Sequence, residues 1–371
     1  MPNLLEYLRE VKLKLVSSSC PKSLHIVMGN EACDLDSAVS SLVYAFLLHS
    51  LKVNDQINIV PILNIPRDDY ELKTEVTYWL NQHSISSDHL VFRDILDSAV
   101  TCSGSVALTL VDHNVLSVQY RHLEPNVISI LDHHQLERPN PQSVKDGMVI
   151  EMVGSCCTLV AEAMLNKYPS LLDDTTASLL YGTIVLDTVN LNEAAKRVTE
   201  KDVEMCRQLE KHLNSPVTCS TDIFQKLTTA KSNTAHLTSD QLLRKDVKIA
   251  ENKIRVGVAS IPMLAKEFLE RPDVLEDMQQ HSEKQHYDVL VIMGITLVGD
   301  NVRRDIAICS KDFELSMKMS QHLSSAGGGT LQLDAGTSQV EGCLAFKQGN
   351  HAASRKVVLP FVRDWLSLHN N

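Results

Sequence analysis

The sequence predicts an α/β protein: a doubly wound, mostly parallel sheet in a larger N-terminal domain, then a smaller C-terminal α/β domain across a cleft. Three observations carry this expectation. Short β-branched or leucine-rich runs alternate with helix-like stretches through the first half, the pattern of parallel strands joined by crossover helices. That pattern lapses between about Cys206 and Phe224 and then resumes. Four acidic or histidine-bearing motifs each stand where an apolar run stops, and open α/β sheets bind ligands at the carboxyl ends of their strands.

Leu4, Leu5, Leu8, Val11 and Leu15 alternate with Glu6, Arg9, Glu10 and Lys12. This is an amphipathic helix and not the apolar core of a signal peptide. Runs at 24–28, 57–63, 106–111 and 127–131 are too apolar to leave one face wet, so they read as buried strands. Stretches 37–48, 69–82 and 155–167 read as helices between or after them. With the break near 206–224, the domains are expected at 1–210 and 220–371, sizes that each allow a core. The second has strands at 254–261, 287–298 and 305–309 and helices at 263–281 and 356–368. Residues 324–330, with Gly327-Gly328-Gly329, read as a flexible loop.

The chain has 371 residues, 46 acidic and 35 basic, for a net charge of −11. That balance argues against a general nucleic-acid-binding face. It leaves room for an anionic phosphate substrate, because bound metals and a few local cations reverse the field inside a cleft. Nine cysteines occur without a CxxC pair, which fits a reducing compartment and no disulfide framework. The longest apolar run, 289–298, is too short to span a bilayer. Cytoplasmic or nuclear residence is expected, with no membrane and no nucleic acid as partner.

The four motifs are Asn30 to Ser37 with Asp34 and Asp36, Val111-Asp112-His113-Asn114, Leu131-Asp132-His133-His134-Gln135, and Leu186-Asp187-Thr188. Each alone has an ordinary explanation. Asp34 or Asp36 can cap the following helix, a single Asp after a strand forms turns, and a His-His pair is commonly a surface feature. Together they supply enough carboxylate oxygen and imidazole nitrogen for two divalent cations. A buried carboxylate cluster is costly unless something positive neutralises it. An oxygen-rich set with one imidazole suits Mn or Mg better than structural zinc. Asp132 is the expected hydrogen-bond acceptor for the second ring nitrogen of His133.

These motifs resemble the four signature motifs of the DHH phosphoesterases, in the branch that holds family II pyrophosphatases, exopolyphosphatases and the prune proteins. The run at 29–37 is especially similar to prune and the eukaryotic exopolyphosphatase. The resemblance implies that Asp34 binds a first metal and Asp36 a second, and that Asp112 bridges them. It implies that His133 and Asp187 complete the second site, with His134 facing the substrate phosphate. Family II pyrophosphatases have a histidine where this chain has Asn30. An amide oxygen is a weaker ligand, so the first site is expected to tolerate Mg and to hold its metal loosely.

Downstream, Ser354-Arg355-Lys356 and Lys248 are similar to the family's phosphate-gripping residues, although alone they read as a solvated helix start and strand. Asn30, His134, Lys248, Arg355 and Lys356 are therefore the expected substrate contacts, and Asp112 and His134 the catalytic pair. The implied activity is removal of the terminal phosphate of short-chain polyphosphate by metal-activated water. The alternatives are a cyclic-nucleotide or oligonucleotide phosphodiesterase and a prune-like regulatory scaffold with protein partners.

Overall fold

The computed structural model describes residues 3–16, 22–52, 54, 56–138, 144, 147–213, 220–272, 274–298, 301–325, 328–336 and 340–369. The chain forms two compact units, Met1–Asn233 and Thr234–Asn371.

The first unit opens with α1 (Leu4–Val16), β1 (Ser23–Met28), α2 (Leu35–Leu51) and β2 (Ile57–Ile62). It continues through α3 (Thr74–Gln82), α4 (Leu96–Cys102), β3 (Ser105–Val111), β4 (Val127–Asp132) and β5 (Met148–Ile150). Helices α5 (Cys156–Lys167), α6 (Asp174–Asp187), α7 (Glu200–Glu210) and α8 (Ser220–Ser232) complete it. The five strands make one parallel sheet in the order β2-β1-β3-β4-β5. From β1 the chain steps outward to β2, then returns past β1 to β3. The topological switch point therefore lies between β1 and β3, where such sheets open a crevice. Met28 pairs with Leu110, and Val111 with Leu131, so the loops after β1, β3 and β4 leave the sheet side by side.

The fully apolar strands reflect burial from both faces: Ile26, Val27, Met28, Leu108, Leu110 and Ile130 are all buried. Helix α2 is buried continuously from Leu35 to Leu47, which fits a helix packed on several sides. The expected helix at 69–82 is two pieces, a 3-10 turn Arg67–Leu72 and then α3. Lys73 divides them with φ −92° and ψ 66°, outside the helical region. Asp187 closes a helix, α6, rather than a strand. α6 packs against α2, α5, α7 and α8 and is apolar nearly all round, so its sequence reads as a bare apolar run. α8 packs on α3 and α6, which carries the first unit past the lapse near 206–224. Residues 214–219 of that lapse lie outside the described residues.

The second unit contains α9 (Ser239–Lys245), β6 (Val247–Glu251), β7 (Arg255–Ile261), α10 (Ala265–Leu269) and α11 (Val274–Gln285). Then come β8 (Val289–Val298), β9 (Asn301–Cys309), α12 (Phe313–Ser325), α13 (Gly328–Leu331), β10 (Leu333–Ala335), β11 (Cys343–Gln348) and α14 (Arg355–Leu368). Its six-stranded sheet runs β10-β11-β9-β8-β7-β6. Only the β7–β8 pair is parallel. Helices cover both faces, over one core around Phe268 and Ile292 and another around Val291 and Trp365.

Three expectations change here. The helix at 263–281 is divided into α10 and α11, since Pro272 pushes Arg271 away from helical geometry. Residues 328–330 form the helical turn α13, anchored by buried Leu331, while residues 326–327 lie outside the described residues. Cys309 and Cys343 are also register partners on β9 and β11, and they form a disulfide, which no spacing rule anticipates. Among the described residues no helix is long and apolar enough to cross a membrane.

Candidate metal centre

The turn after β1 is built around one close approach and one left-handed residue. A Cβ on Gly29 would lie 2.8 Å from Ser37 O, so only glycine lets β1 meet the start of α2 this closely. Cys33 takes φ 44°, the left-handed region, and turns the chain into the helix. Asp34 caps α2 through Oδ1, which accepts the Ser37 amide at 3.1 Å. The ordinary capping explanation thus holds for one of its oxygens.

Asp36 is the second residue of α2, in its first turn, and is buried. Its Oδ1 accepts from the Cys157 amide at 2.8 Å and the Ser155 hydroxyl at 2.8 Å, and its Oδ2 from the Cys156 amide at 2.6 Å. These donors are the first turn of α5, whose positive end suits an anion. The helix thus fixes Asp36 without neutralising it by a side-chain cation.

Asp112 follows β3 with φ 60°, a conformation unusual for a non-glycine residue and common at functional sites. The Asp112 Oδ2 accepts from Ser37 Oγ at 2.8 Å and Asn30 Nδ2 at 2.9 Å. Its Oδ1 is 3.2 Å from His133 Nε2 and 3.7 Å from His134 Nδ1. His133 Nε2 also lies 3.5 Å from Asp36 Oδ2.

His133 Nδ1 donates to Val153 O at 2.9 Å, which fixes the tautomer and turns Nε2 to the carboxylates. The expected acceptor, Asp132, is committed elsewhere. It accepts from His134 Nδ1 at 2.9 Å and Asn114 Nδ2 at 2.6 Å. Side-chain direction alternates along the end of β4, so neighbouring Asp132 and His133 point apart. Asp187, at the end of α6, has a buried Oδ2 with no hydrogen-bond partner among the described residues.

The charges confirm how crowded this centre is. Burial and then the Asp36 charge raise the carboxyl of Asp112 to about 7. Burial followed by Asp36 and Asp34 raises Asp187 well above the usual range, and burial with Asp36 raises Asp34. Burial opposes the charged form of His133, yet its hydrogen bond to Asp112 and the Asp36 charge raise it to about 10. His134 is raised chiefly by its hydrogen bond to Asp132. Among the described residues no lysine or arginine forms an ion pair with Asp36, Asp112 or Asp187. The carboxyls are therefore pushed toward their protonated forms, a repulsion that a bound cation would remove.

Asp112, His133 and His134 offer ligand atoms within 4.8 Å of one another, and Asp36 joins them through His133. Asp34 and Asp187 share the same electrostatic cluster. Asn30 presents its amide differently from expectation. Its Oδ1 accepts the Ala32 and Cys33 amides, at 2.9 and 3.2 Å, so its Nδ2 faces Asp112.

In the second unit Ser354 caps α14, accepting the Lys356 amide. Arg355 donates to Asp246 O and to Asp246 Oδ1, while Lys248 on β6 and Lys356 are exposed. Sequence reasoning missed Ser37, Asn114, Val153 and Ser155. Only Ser155 carried a signal, a serine directly before a helical run. The other three act through partners remote in sequence.

Residues 25–184 match the DHH family, N-terminal domain, and residues 225–365 the DHHA2 domain. The chain is 36% identical to human "Exopolyphosphatase PRUNE1" over 98% of its own length and 80% of that protein. It is 25% identical to mouse "Protein prune homolog 2" over 97% of this chain and 11% of that one. It is also 24% identical to a "Probable manganese-dependent inorganic pyrophosphatase" of Streptococcus mutans, over 74% of this chain and 83% of the other. With both domains matched in order and near full-length identity above a third, the chain belongs to the DHH family, in its prune and exopolyphosphatase branch.

Proposed function

We propose that the protein is a metal-dependent phosphohydrolase that removes the terminal phosphate of short-chain inorganic polyphosphate. The observation that carries this is the cluster of buried Asp36 and Asp112 with the buried Oδ2 of Asp187. It has one imidazole edge aimed into it, an orphaned Asp187 oxygen and, among the described residues, no lysine or arginine paired with it. Such a set fits a divalent cation, and its oxygen-rich donors suit Mn or Mg. The names of the relatives, an exopolyphosphatase and a manganese-dependent pyrophosphatase, favour the same reading.

Asp36, Asp112, His133 and Asp187 would hold one cation, and Asp34 with Asp112 a second, weaker one. When bound, such cations neutralise phosphoryl oxygens and lower the pKa of water. The residues of the chain then have distinct tasks. The Asp112 backbone and its two Oδ2 donors keep one carboxylate oxygen pointed at His133. Asp132 holds His134 by Nδ1 and favours its protonated form, so Nε2–H can donate to a substrate oxygen as negative charge builds. Lys248, Arg355 and Lys356 would bind the leaving polyphosphate. Asp246 orients the Arg355 guanidinium through two of its five donors and leaves the others for phosphate.

The test is phosphate release from tripolyphosphate, pyrophosphate and cyclic AMP with Mg or Mn, for wild type and Asp112→Ala. We expect tripolyphosphate to be preferred and the variant to lose roughly 10²–10³-fold in rate. Equal rates in the two proteins would overturn the metal mechanism. A preference for pyrophosphate or for cyclic AMP would overturn the substrate.

A further inference from the structure

The chain crosses behind the carboxylates once more after β5, as the strap 153–158, whose last three residues are the first turn of α5. One side of this strap faces the site. Val153 O takes the His133 Nδ1 proton, and Ser155 Oγ with the Cys156 and Cys157 amides holds Asp36. Both a nitrogen and a carboxylate of the centre therefore inherit their position from the strap.

The other side is held by a single carboxylate. Asp202, fully buried, accepts the Gly154 amide at 3.0 Å through Oδ1 and 2.9 Å through Oδ2. It also accepts Thr158 Oγ1 at 2.5 Å. Its Oδ2 further accepts Thr199 N and Thr199 Oγ1, each at 2.7 Å. The Thr199 bonds are a capping box for α7, and capping would be a sufficient role if they were the only ones. The bonds to Gly154 and Thr158 reach across 48 and 44 residues and add nothing to that cap. The strap has no slack, since a Cβ on Gly154 would lie 2.5 Å from both Arg197 O and Thr188 Cγ2. Thr188 directly follows Asp187, so the strap is wedged against the end of α6 as well.

We propose that Asp202 is a positioning residue for the metal centre: it anchors the strap that sets Asp36 and the His133 tautomer. The inference rests on the metal-centre reading above. A carboxylate suits this position because each of its oxygens faces a backbone N–H, Gly154 at Oδ1 and both Gly154 and Thr199 at Oδ2. In either orientation asparagine would turn its NH₂ toward a backbone N–H, which cannot accept, and would lose a buried acceptor there.

Mn²⁺ affinity, measured by equilibrium dialysis on the full chain, tests this alongside the melting temperature of the metal-free protein. Asp202→Asn should weaken Mn²⁺ binding about 10–100-fold, the usual cost of losing a group that orients a metal ligand. Thr158→Val removes one donor outside the cap. It should weaken Mn²⁺ about tenfold with little change in melting temperature, and it carries the test if Asp202→Asn does not fold. Thr199→Ala damages mainly the cap, so it should lower the melting temperature more than it alters Mn²⁺ affinity. Wild-type affinity in Thr158→Val, or affinity and melting temperature falling in proportion across all variants, would reduce Asp202 to a helix cap. Absence of Mn²⁺ binding in the wild type would instead overturn the metal centre itself.

Discussion

Asn30 donates its side-chain amide to Asp112 Oδ2 at 2.9 Å, because its own oxygen is occupied by the Ala32 and Cys33 amides. The hydrogens of Asn30 thus occupy the approach to one Asp112 oxygen, where the resemblance to pyrophosphatases leads one to expect an imidazole ligand. The same oxygen also accepts from Ser37 Oγ, so one half of the Asp112 carboxylate is already satisfied by the protein.

Replacing Asn30 by histidine should reverse this. An imidazole nitrogen would add a ligand, and the amide donor competing for Asp112 Oδ2 would be gone. We expect Asn30→His to bind Mn²⁺ about tenfold more tightly, read by equilibrium dialysis at neutral pH. Unchanged or weaker binding would mean that this Asp112 oxygen does not face a metal.

The metal-free centre should respond to pH in a defined direction. A carboxyl raised to about 7, as at Asp112, keeps a proton in the folded chain that the unfolded chain has already released. Its contribution to stability therefore falls as pH rises from about 4 through 7. The imidazole of His133, raised to about 10, contributes fully below about 6.5 and loses that contribution as pH rises through its folded value. Both act in the same sense. With chelator present, the melting temperature should drop between pH 6 and pH 8.5, and Mg²⁺ should shrink the drop by replacing the protons. Asp112→Asn in chelator should show a smaller drop than wild type, and an equal drop would assign the effect to other groups.

Much of this organisation was legible in the sequence. Strands such as β1 and β3 are buried on both faces, which writes an uninterrupted apolar run into the chain. The carboxylates were legible for a related reason, since Asp34, Asp36, Asp112 and Asp132 end or follow such runs. What holds them was not. Ser155 meets Asp36 across 119 residues and Val153 meets His133 across 20, and no local pattern encodes partners that only the fold brings together. The break at Lys73 has no sequence mark either, because apolar spacing continues across it and only its backbone angles interrupt the helix.

Gly182 in α6 tests how tightly the support behind Asp187 is packed. A Cβ there would lie 2.3 Å from Trp79 Cζ2. The indole cannot withdraw easily, being buried with Nε1 bonded to Leu179 O at 3.3 Å. Alanine favours a helix over glycine by about 0.5–1 kcal/mol, but overpacking costs about 1–3 kcal/mol, so the clash should win. Gly182→Ala should lower the melting temperature by a few degrees in a thermal unfolding scan. A rise would mean that the ring shifts freely.

Arg355 separates the two halves of the proposed function. Its guanidinium is bonded to Asp246 through the backbone oxygen and the carboxylate, and its side chain is 17% exposed. None of the proposed metal ligands belongs to this unit. Removing the side chain should therefore leave Mn²⁺ affinity within about twofold of wild type. It should raise KM for tripolyphosphate about tenfold or more, since a charge-assisted bond to phosphate contributes about 1.5–3 kcal/mol. Arg355→Ala also leaves Asp246 as an unpaired negative charge, which would itself repel a polyanion. The double variant Asp246→Asn with Arg355→Ala removes that repulsion and should recover only part of the loss. Full recovery would assign the effect to Asp246 alone, and loss of Mn²⁺ binding in Arg355→Ala would move the residue out of the substrate-binding role.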